Sequence, residues 1–379
     1  MNTDSKKIFL GRLPMKNKIL GGLKSVSFPL LSILVALILG AVIMTVMGYN
    51  AGLAYTSLIS GAFGSRNSIS ETLIQMVPLI FTALSYAIAM RCGLINLGAE
   101  GQLYIGAVAG AFVGARFGGI PGPIHILLVL FCGFLGGALW GLIVGVLKVR
   151  FGASELITTI MLNYIALEFV SFCVTNPPFR DMTPGAAPRM APVLDSVKLP
   201  IMLARTRLHI GLIIALIGIV VYYIFMWKTT KGYEMRVIGL NPGAGQYSGM
   251  NIKSNGVLAI FIAGGFAGLG GVINIIGLQY FLAEGFSNNF GFSGIAVALL
   301  GGLHPVGMIA SGLLFGALNS GGIKMQLLAQ VPAASIYMIQ GMIIIFAVSR
   351  ELFIYFGRGK KLFKLKPKKQ AAGGGGGNV

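Results

Sequence analysis

Residues 229–255 read TTKGYEMRVIGLNPGAGQYSGMNIKSN, a long polar segment between two strongly apolar runs. The residue pattern over positions 233–240 predicts a short helix that has one apolar and one polar side. The apolar side is formed by Met235, Ile238 and Leu240, and the polar side by Glu234 and Arg236.

The predicted helix ends at Asn241-Pro242-Gly243, because proline and glycine favour a turn. A second short piece follows over residues 244–250 and leads to Asn251. A segment of this kind, held between two apolar runs, is expected to lie along a membrane surface. It would offer a protruding knob to a partner protein.

The rest of the chain is too apolar for a soluble domain. Of its 379 residues, 55% are hydrophobic and 10% are charged, and the mean hydropathy is +0.84. This composition predicts an all-α polytopic membrane protein. The net charge of +19 is gathered at the two ends and in a few loops. Anionic lipid head groups and membrane topology explain that charge better than a nucleic acid partner does.

Ten stretches are apolar enough to be membrane spans. The basic N-terminal segment, residues 1–28, leads into the first of them without a small-residue cleavage site, which indicates a retained span and not a signal peptide. The third, eighth and ninth stretches are short or interrupted by glycine, which is typical of half-helices or of buried pieces. The ten predicted spans are residues 29–49, 71–90, 97–115, 124–147, 154–175, 208–227, 256–278, 289–303, 306–322 and 333–349.

Both ends of the chain are basic, which predicts that both lie in the cytoplasm. Ten crossings agree with this and place residues 229–255 in the cytoplasm as well. The transmembrane domain is then residues 29–355. Residues 356–379 are basic and contain a run of five glycines, so they are predicted to form a flexible tail.

One loop opposes this orientation. Residues 176–207 fall outside the cell, yet they carry five basic residues that Asp181 and Asp195 balance only in part. The segment is long and rich in proline, and we expect it to be an external lid or a docking surface. Its basic residues are Arg180, Arg189, Lys198, Arg205 and Arg207.

A short internal match suggests an inverted repeat of two five-helix halves. The letters GL and AEG occur at residues 93–94 and 99–101 and again at 277–278 and 283–285, an offset of 277 − 93 = 184 residues. An odd number of predicted crossings separates the two copies, as in transporters that are built from inverted repeats. Coincidence in a glycine-rich sequence explains the match equally well.

No motif for catalysis or for a bound cofactor is found in the sequence. It has no P-loop, no HExxH motif, no nucleophile elbow and no CxxC pair. We therefore expect no cofactor, no metal and no enzymatic activity, so a separate protein must supply energy or transport is passive. Glu100 and Glu168 are the acids that fall well inside the spans. Glu100 is interpreted as the cap of a broken helix or as an ion-coupling residue.

Four motifs carry a family resemblance: RCGLINLGAEGQ at 91–102, ELITTIMLNYIA at 155–166, GYEMRVIGLN at 232–241 and GFSGIAVALLG at 291–301. They resemble the membrane subunits of bacterial ABC importers in the branched-chain amino acid and simple-sugar permease family. The likeness extends from about residue 30 to about residue 355. Within that family the chain is most similar to nucleoside-uptake permeases.

The resemblance implies that residues 229–255 contain a cytoplasmic coupling helix that docks on an ABC ATPase subunit. It also implies a second, related permease, a substrate-binding lipoprotein and a place in the bacterial cell membrane. The residues expected to couple to the ATPase are Tyr233, Glu234, Met235, Arg236, Gly239 and Asn241.

The sequence leaves two positions open for the solute pathway: within this subunit, or at the interface with a second permease. Amide and aromatic side chains suit an uncharged nucleoside, although each could equally form a hydrogen bond between helices. A simple-sugar permease of the ribose or galactose type and an ion-coupled secondary transporter are the alternatives. The pathway candidates are Asn96, Glu100, Gln102, Asn163 and Tyr164.

Overall fold

The computed structural model describes the backbone of residues 15–346 and the side chains from residue 31 onward. Contacts divide the chain into a large unit, Leu37–Gly341, and a small one that contains both ends of the chain. In the small unit, the Ser32 hydroxyl donates a hydrogen bond to the Phe346 carbonyl over 3.3 Å. The predicted flexible tail, residues 356–379, lies outside the described residues, as does the first half of the predicted N-terminal segment.

The described residues form α-helices joined by short turns and by one long irregular segment. They contain no β-structure beyond two isolated bridges. The helices are α1 Met15–Val46, α2 Ala51–Phe63, α3 Arg66–Arg91, α4 Ala99–Arg116, α5 Gly122–Phe151, α6 Glu155–Thr175, α7 Gly211–Lys228, α8 Thr230–Leu240, α9 Pro242–Tyr247, α10 Ile252–Asn274, α11 Phe290–Leu300, α12 Pro305–Ala329 and α13 Ala333–Phe346.

This architecture confirms the all-α polytopic prediction, and a helix occupies each of the ten predicted spans. Six helices are long and apolar enough to cross a membrane: α3, α5, α6, α7, α10 with its π-helical extension to Gln279, and α12. The prediction was wrong in two places. It missed α2, and it made the ninth span too short, because α12 has 25 residues.

Helix α3 forms the core of the large unit. It packs against α7, α10, α11 and α12, and 83% of its most apolar stretch is buried. Helices α5 and α10 form another close pair. A side chain at Gly268 of α10 would put its Cβ 2.3 Å from the carbonyl oxygen of Gly133 on α5. Glycine at this crossing therefore lets the two backbones touch.

Helices α4 and α11 begin inside the protein and not at its surface. The hydroxyl of Thr82, in the middle part of α3, donates to the carbonyl of Phe290, the first residue of α11. At a rise of about 1.5 Å per residue, the 11 residues of α11 span roughly 16 Å, half of a bilayer core. The eighth predicted span is therefore a half-helix.

The two matching AEG triplets have different local structures. Glu100 is buried in the first turn of α4, whereas Glu284 is exposed in the irregular link between α10 and α11. The inverted repeat of two five-helix halves stays a prediction.

The segment between α6 and α7 is ordered and packs on neighbouring helices. Its backbone amides at Met190, Val193 and Leu199 donate to carbonyls of residues 276–282, and the amide of Leu194 donates to Gly114 at the end of α4. Asp181 pairs with Arg189 over 2.9 Å, so part of the positive charge is neutralised locally. The segment covers this end of α4 and α10.

Candidate functional site: the α8–α9 surface and the buried amide cluster

The polar segment folds into the two short helices α8 and α9, each capped by its own preceding residue. The Thr229 hydroxyl accepts a hydrogen bond from the Gly232 amide, and the Asn241 side chain accepts one from the Ala244 amide, both over 3.1 Å. The turn at Asn241 separates the helices as predicted. The second helix begins at Pro242, two residues earlier than predicted, because proline suits the first helical position.

One side of α8 is fastened to the rest of the protein. Met235 is fully buried and Ile238 nearly so. The backbone of Gly239 touches the end of α3, since a Cβ there would lie 2.3 Å from the carbonyl oxygen of Arg91. Only glycine allows this approach. We define the end of the bundle at which α8 lies as the α8 side.

A second attachment joins α8 to the start of α10. The Glu234 carboxylate accepts hydrogen bonds from Lys231 and from Asn255, each over 2.8 Å. These bonds hold the pKa of Glu234 below its ordinary value, so the group stays ionised at neutral pH. Glu234 therefore joins α8 to α10, in addition to being one of the predicted coupling residues.

Aromatic and guanidinium groups fill the angle between α8, α3 and α7. The Arg91 guanidinium lies 5.1 Å from the ring centre of Trp227, and that of Arg236 lies 5.8 Å from the same ring. Arg91 also donates to the carbonyl of Leu303 over 3.0 Å, and the Tyr222 hydroxyl donates to the same oxygen. Cation–π contacts of this kind stabilise the packing of positive groups in a partly buried place.

The free side of the two helices presents large apolar groups to the surroundings. Leu240 is 89% exposed and Tyr247 is 95% exposed, and Tyr233 and Asn241 are exposed as well. The prediction that Leu240 joins the apolar buried side was wrong, because α8 ends there and its last residue projects from the turn. Leu240 and Tyr247 were not among the predicted coupling residues. Their signal in the sequence is an apolar side chain within an otherwise polar segment.

Two of the predicted pathway residues lie in a closed cluster of amides. The Asn96 side-chain nitrogen donates to the Ser85 hydroxyl over 3.1 Å and to the Gln102 side chain over 2.9 Å. Gln102 returns a bond to the Asn96 oxygen over 3.2 Å. Both amides are almost completely buried. They fix the link between α3 and α4, which enters the protein interior.

Asn163 and Glu100 bind the first turns of other helices. The Asn163 side chain of α6 accepts a bond from the Gly101 amide over 2.8 Å and donates to the Leu97 carbonyl over 2.9 Å. The Glu100 carboxylate of α4 accepts a bond from the Gly291 amide of α11 over 2.6 Å. Tyr164, next to Asn163, points away and is 62% exposed.

The exposed face of α6 contains a carboxylate. Glu168 follows Tyr164 by four residues, so both lie on one face of the helix. A cavity of about 250 Å³ lies between this face and the α10–α11 link, and it is lined by Tyr104, Leu167, Glu168, Val170, Ser171, Glu284 and Gly285. Neither Glu168 nor Glu284 forms an ion pair with another described residue. No local pattern in the sequence predicts that Glu284 lies beside α6.

These features define a polytopic membrane protein that presents two short helices with exposed apolar side chains at one end, and they include no catalytic constellation among the described residues. The chain belongs to the family described as branched-chain amino acid transport system / permease component, which matches residues 68–348.

Curated relatives are permeases of ABC transporters. The guanosine ABC transporter permease protein NupP of Bacillus subtilis is 38% identical over 327 residues, which are 85% of this chain and 92% of NupP. The nucleoside ABC transporter permease protein NupB of Lactococcus lactis is 40% identical over 336 residues, 83% of this chain and 91% of NupB.

A glucose ABC transporter permease protein, TsgB13 of Haloferax volcanii, is 30% identical over 335 residues, 86% of this chain and 87% of TsgB13. Second permeases of the two nucleoside systems, NupQ of Bacillus subtilis and NupC of Lactococcus lactis, are each 26% identical to this chain. Two guanosine permeases of Bacillus subtilis and two nucleoside permeases of Lactococcus lactis are thus similar to this chain. No solved structure matches the chain.

The hydrogen bonds of Asn163 make a prediction about stability. Replacing Asn163 by leucine leaves the buried Gly101 amide without an acceptor, which should cost about 1–3 kcal/mol. The variant Asn163→Leu should therefore melt at a lower temperature than the wild type in detergent. The adjacent variant Tyr164→Leu is the control and should melt as the wild type does, because its side chain is exposed. Equal melting of all three proteins would contradict the assignment.

Proposed function

We propose that the chain is one of two permease subunits of an ATP-driven importer that carries nucleosides across the bacterial cell membrane. The observation that carries the proposal is the identity of 38% and 40% to guanosine and nucleoside permeases over more than four fifths of the chain. The absence of a fuel-binding motif in the sequence agrees with a separate ATPase subunit.

The α8–α9 surface has the properties expected of an ATPase dock. Leu240 and Tyr247 are exposed anchors, and aromatic and apolar side chains of this kind contribute most of the energy of protein interfaces. The buried side of α8 is fixed by Met235, by Gly239 and by the bonds of Glu234. A force on the exposed side of α8 would therefore move α3 and α10 directly, because no flexible loop lies between them and α8.

We place the α8 side in the cytoplasm because the relatives are permeases of ABC transporters, and an ABC ATPase binds inside the cell. Lysine and arginine are typical of cytoplasmic loops, but here the two ends of the bundle carry similar numbers of them: Arg66, Arg116, Arg180, Arg189, Lys198, Arg205 and Arg207 lie opposite α8. The opposite side carries the ordered segment 176–207, which would face the substrate-binding lipoprotein outside the cell. The basic residues on the α8 side are Arg91, Lys148, Arg150, Lys228, Lys231, Arg236 and Lys253.

The exposed face of α6 is the best place for the solute pathway and for the second permease. A carboxylate that faces lipid near the bilayer centre costs about 2.5–3.5 kcal/mol, so the face that carries Glu168 should meet water or protein. Tyr164 on the same face offers a ring on which a nucleobase can stack, and Glu168 can accept hydrogen bonds from ribose hydroxyls. The other four pathway candidates are engaged in bonds between helices. They would shape the pathway and not line it.

A sugar is the second candidate cargo. The 30% identity to a glucose permease supports it, although this value is lower than that to either nucleoside permease. The ribose part of a nucleoside and a free sugar present similar hydroxyls, so the cargo must be tested directly.

Uptake by cells tests the cargo. A strain that lacks this gene should lose most of its uptake of labelled guanosine while its uptake of glucose and ribose is unchanged. Loss of sugar uptake alone would replace the nucleoside assignment by the sugar one. Guanosine uptake that depends on this chain but continues without any ATPase subunit would favour an ion-coupled transporter.

Substitution at the dock tests the coupling surface. The double variant Leu240→Asp with Tyr247→Asp should lose the ATPase from the purified complex, because both exposed anchors become charged. The amount of folded permease should equal that of the wild type, because both side chains are almost fully exposed. The control is Gln246→Asp, an exposed polar position between the two anchors. Retention of the ATPase by the double variant would contradict the proposed dock.

A further inference from the structure

Helix α11 is fastened at its first turn by another helix. The Glu100 carboxyl group of α4 accepts the Gly291 amide over 2.6 Å, and the Ser287 hydroxyl accepts the Phe290 amide over 3.3 Å. Asn289, which directly precedes α11, gives no side-chain cap. A Cβ at Gly291 would lie 2.3 Å from the Glu100 backbone nitrogen, so the two first turns are in contact.

The two helix ends explain why an acceptor lies at this contact. The first turns of α4 and α11 each have amides without a partner inside their own helix and a partial charge of about +0.5. The Glu100 carboxyl group lies between them, is 4% exposed and accepts the Gly291 amide of α11. One side chain of α4 therefore joins the two helix ends. Its loss would leave the Gly291 amide without this acceptor.

The turn that directly follows α11 is held on the α8 side. The chain leaves the helix through Leu303, whose carbonyl accepts bonds from the Arg91 side chain and from the Tyr222 hydroxyl, both over 3.0 Å. The backbone of Arg91 in turn touches Gly239 of α8. A displacement of α8 therefore acts on Arg91, and through Arg91 on the end of α11.

The fastened first turn of α11 lies beside the cavity on the α6 face. Tyr104, one helical turn after Glu100, lines that cavity and packs edge-on against Phe286 at 4.8 Å between ring centres. Glu284 and Gly285 line it from the link that leads into α11. Movement of the Glu100–Gly291 contact therefore changes the cavity walls.

We propose that α11 is a rigid lever that carries the displacement of α8 into the membrane interior, and that Glu100 is the positioning residue that joins it to α4. This inference rests on the proposed function, because it assigns α8 as the place where the ATPase pushes. A half-helix of 11 residues transmits a displacement because its internal hydrogen bonds keep its length constant. A double-mutant cycle measures the energetic coupling between Glu100 and Arg91 that this lever requires.

The experiment uses the complete complex in liposomes and measures nucleoside molecules taken up per ATP hydrolysed. Glu100→Gln keeps the shape of the side chain and replaces one of its two oxygens by a nitrogen donor, and Arg91→Gln removes the bond to Leu303. Each variant should hydrolyse ATP and lower this ratio by about fivefold or more, the size of ordinary coupling between sites. The double variant should be no worse than the poorer single variant, because both residues act on one lever.

The control variant is Arg207→Gln, at an exposed ion pair with Glu71 far from α11. The double variant Arg207→Gln with Glu100→Gln should lower the uptake per ATP by the product of the factors measured for the two single variants. The lever proposal is contradicted if the losses of uptake per ATP caused by Glu100→Gln and Arg91→Gln also multiply in their double variant. It is equally contradicted if Glu100→Gln leaves the uptake per ATP unchanged. A wild-type complex without ATP-dependent uptake would instead refute the proposed function. Should either variant fail to assemble, the milder pair Ser287→Ala and Arg91→Lys should show the same non-additive loss, and a multiplied loss would overturn the lever.

Discussion

The architecture depends on hydrogen bonds to the backbone amides in the first turns of α4 and α11, two helices that begin inside the protein. Water is absent from the bilayer core, so each amide must find a partner within the protein. For α4 and α11 the partners come from other helices, Asn163 for the Gly101 amide and Glu100 for the Gly291 amide. The caps form a chain from α6 to α4 to α11. This chain fixes the interior ends of both helices and so shapes the cavity on the α6 face.

The α8–α9 surface obeys a different requirement. It must be attached firmly on one side and remain free on the other. Its buried side is joined to α3 by the contact of Gly239 and to α10 by the bonds of Glu234, while Leu240 and Tyr247 remain exposed. If an ATPase subunit binds here, as we propose, this arrangement would convert its push into movement of α3 and α10.

The sequence correctly predicts those features of the fold that depend on a local pattern of residues. The membrane spans follow from long apolar stretches, and the turn at Asn241 follows from its proline and glycine neighbours. Helix α2 was missed because its 13 residues are too few for a span and include Thr56, Ser57 and Ser60. The length of α12 was underestimated because Lys324 falls within its last two turns.

The site residues show where local pattern is not enough. For Glu100 the sequence leaves a helix cap and an ion-coupling site open. The helix whose amide it accepts begins 290 − 100 = 190 residues later, at Phe290, and no local signal identifies that helix. Asn96 and Gln102 are suitable pathway residues by chemistry alone, yet they are used up by bonds to each other and to Ser85. Whether an amide lines a pathway or joins two helices depends on the helix face that it occupies. That face becomes known only when the neighbours are known.

Hydrogen–deuterium exchange at the first turn of α11 tests the central claim most directly. The amides at the start of a helix lack partners within the helix and normally exchange fast. If Glu100 holds the start of α11, the Gly291 amide should exchange at least about tenfold more slowly than the Gly243 amide in the first turn of the exposed helix α9. Exchange of Gly291 as fast as that of α9 would contradict the buried cap and the architecture that depends on it.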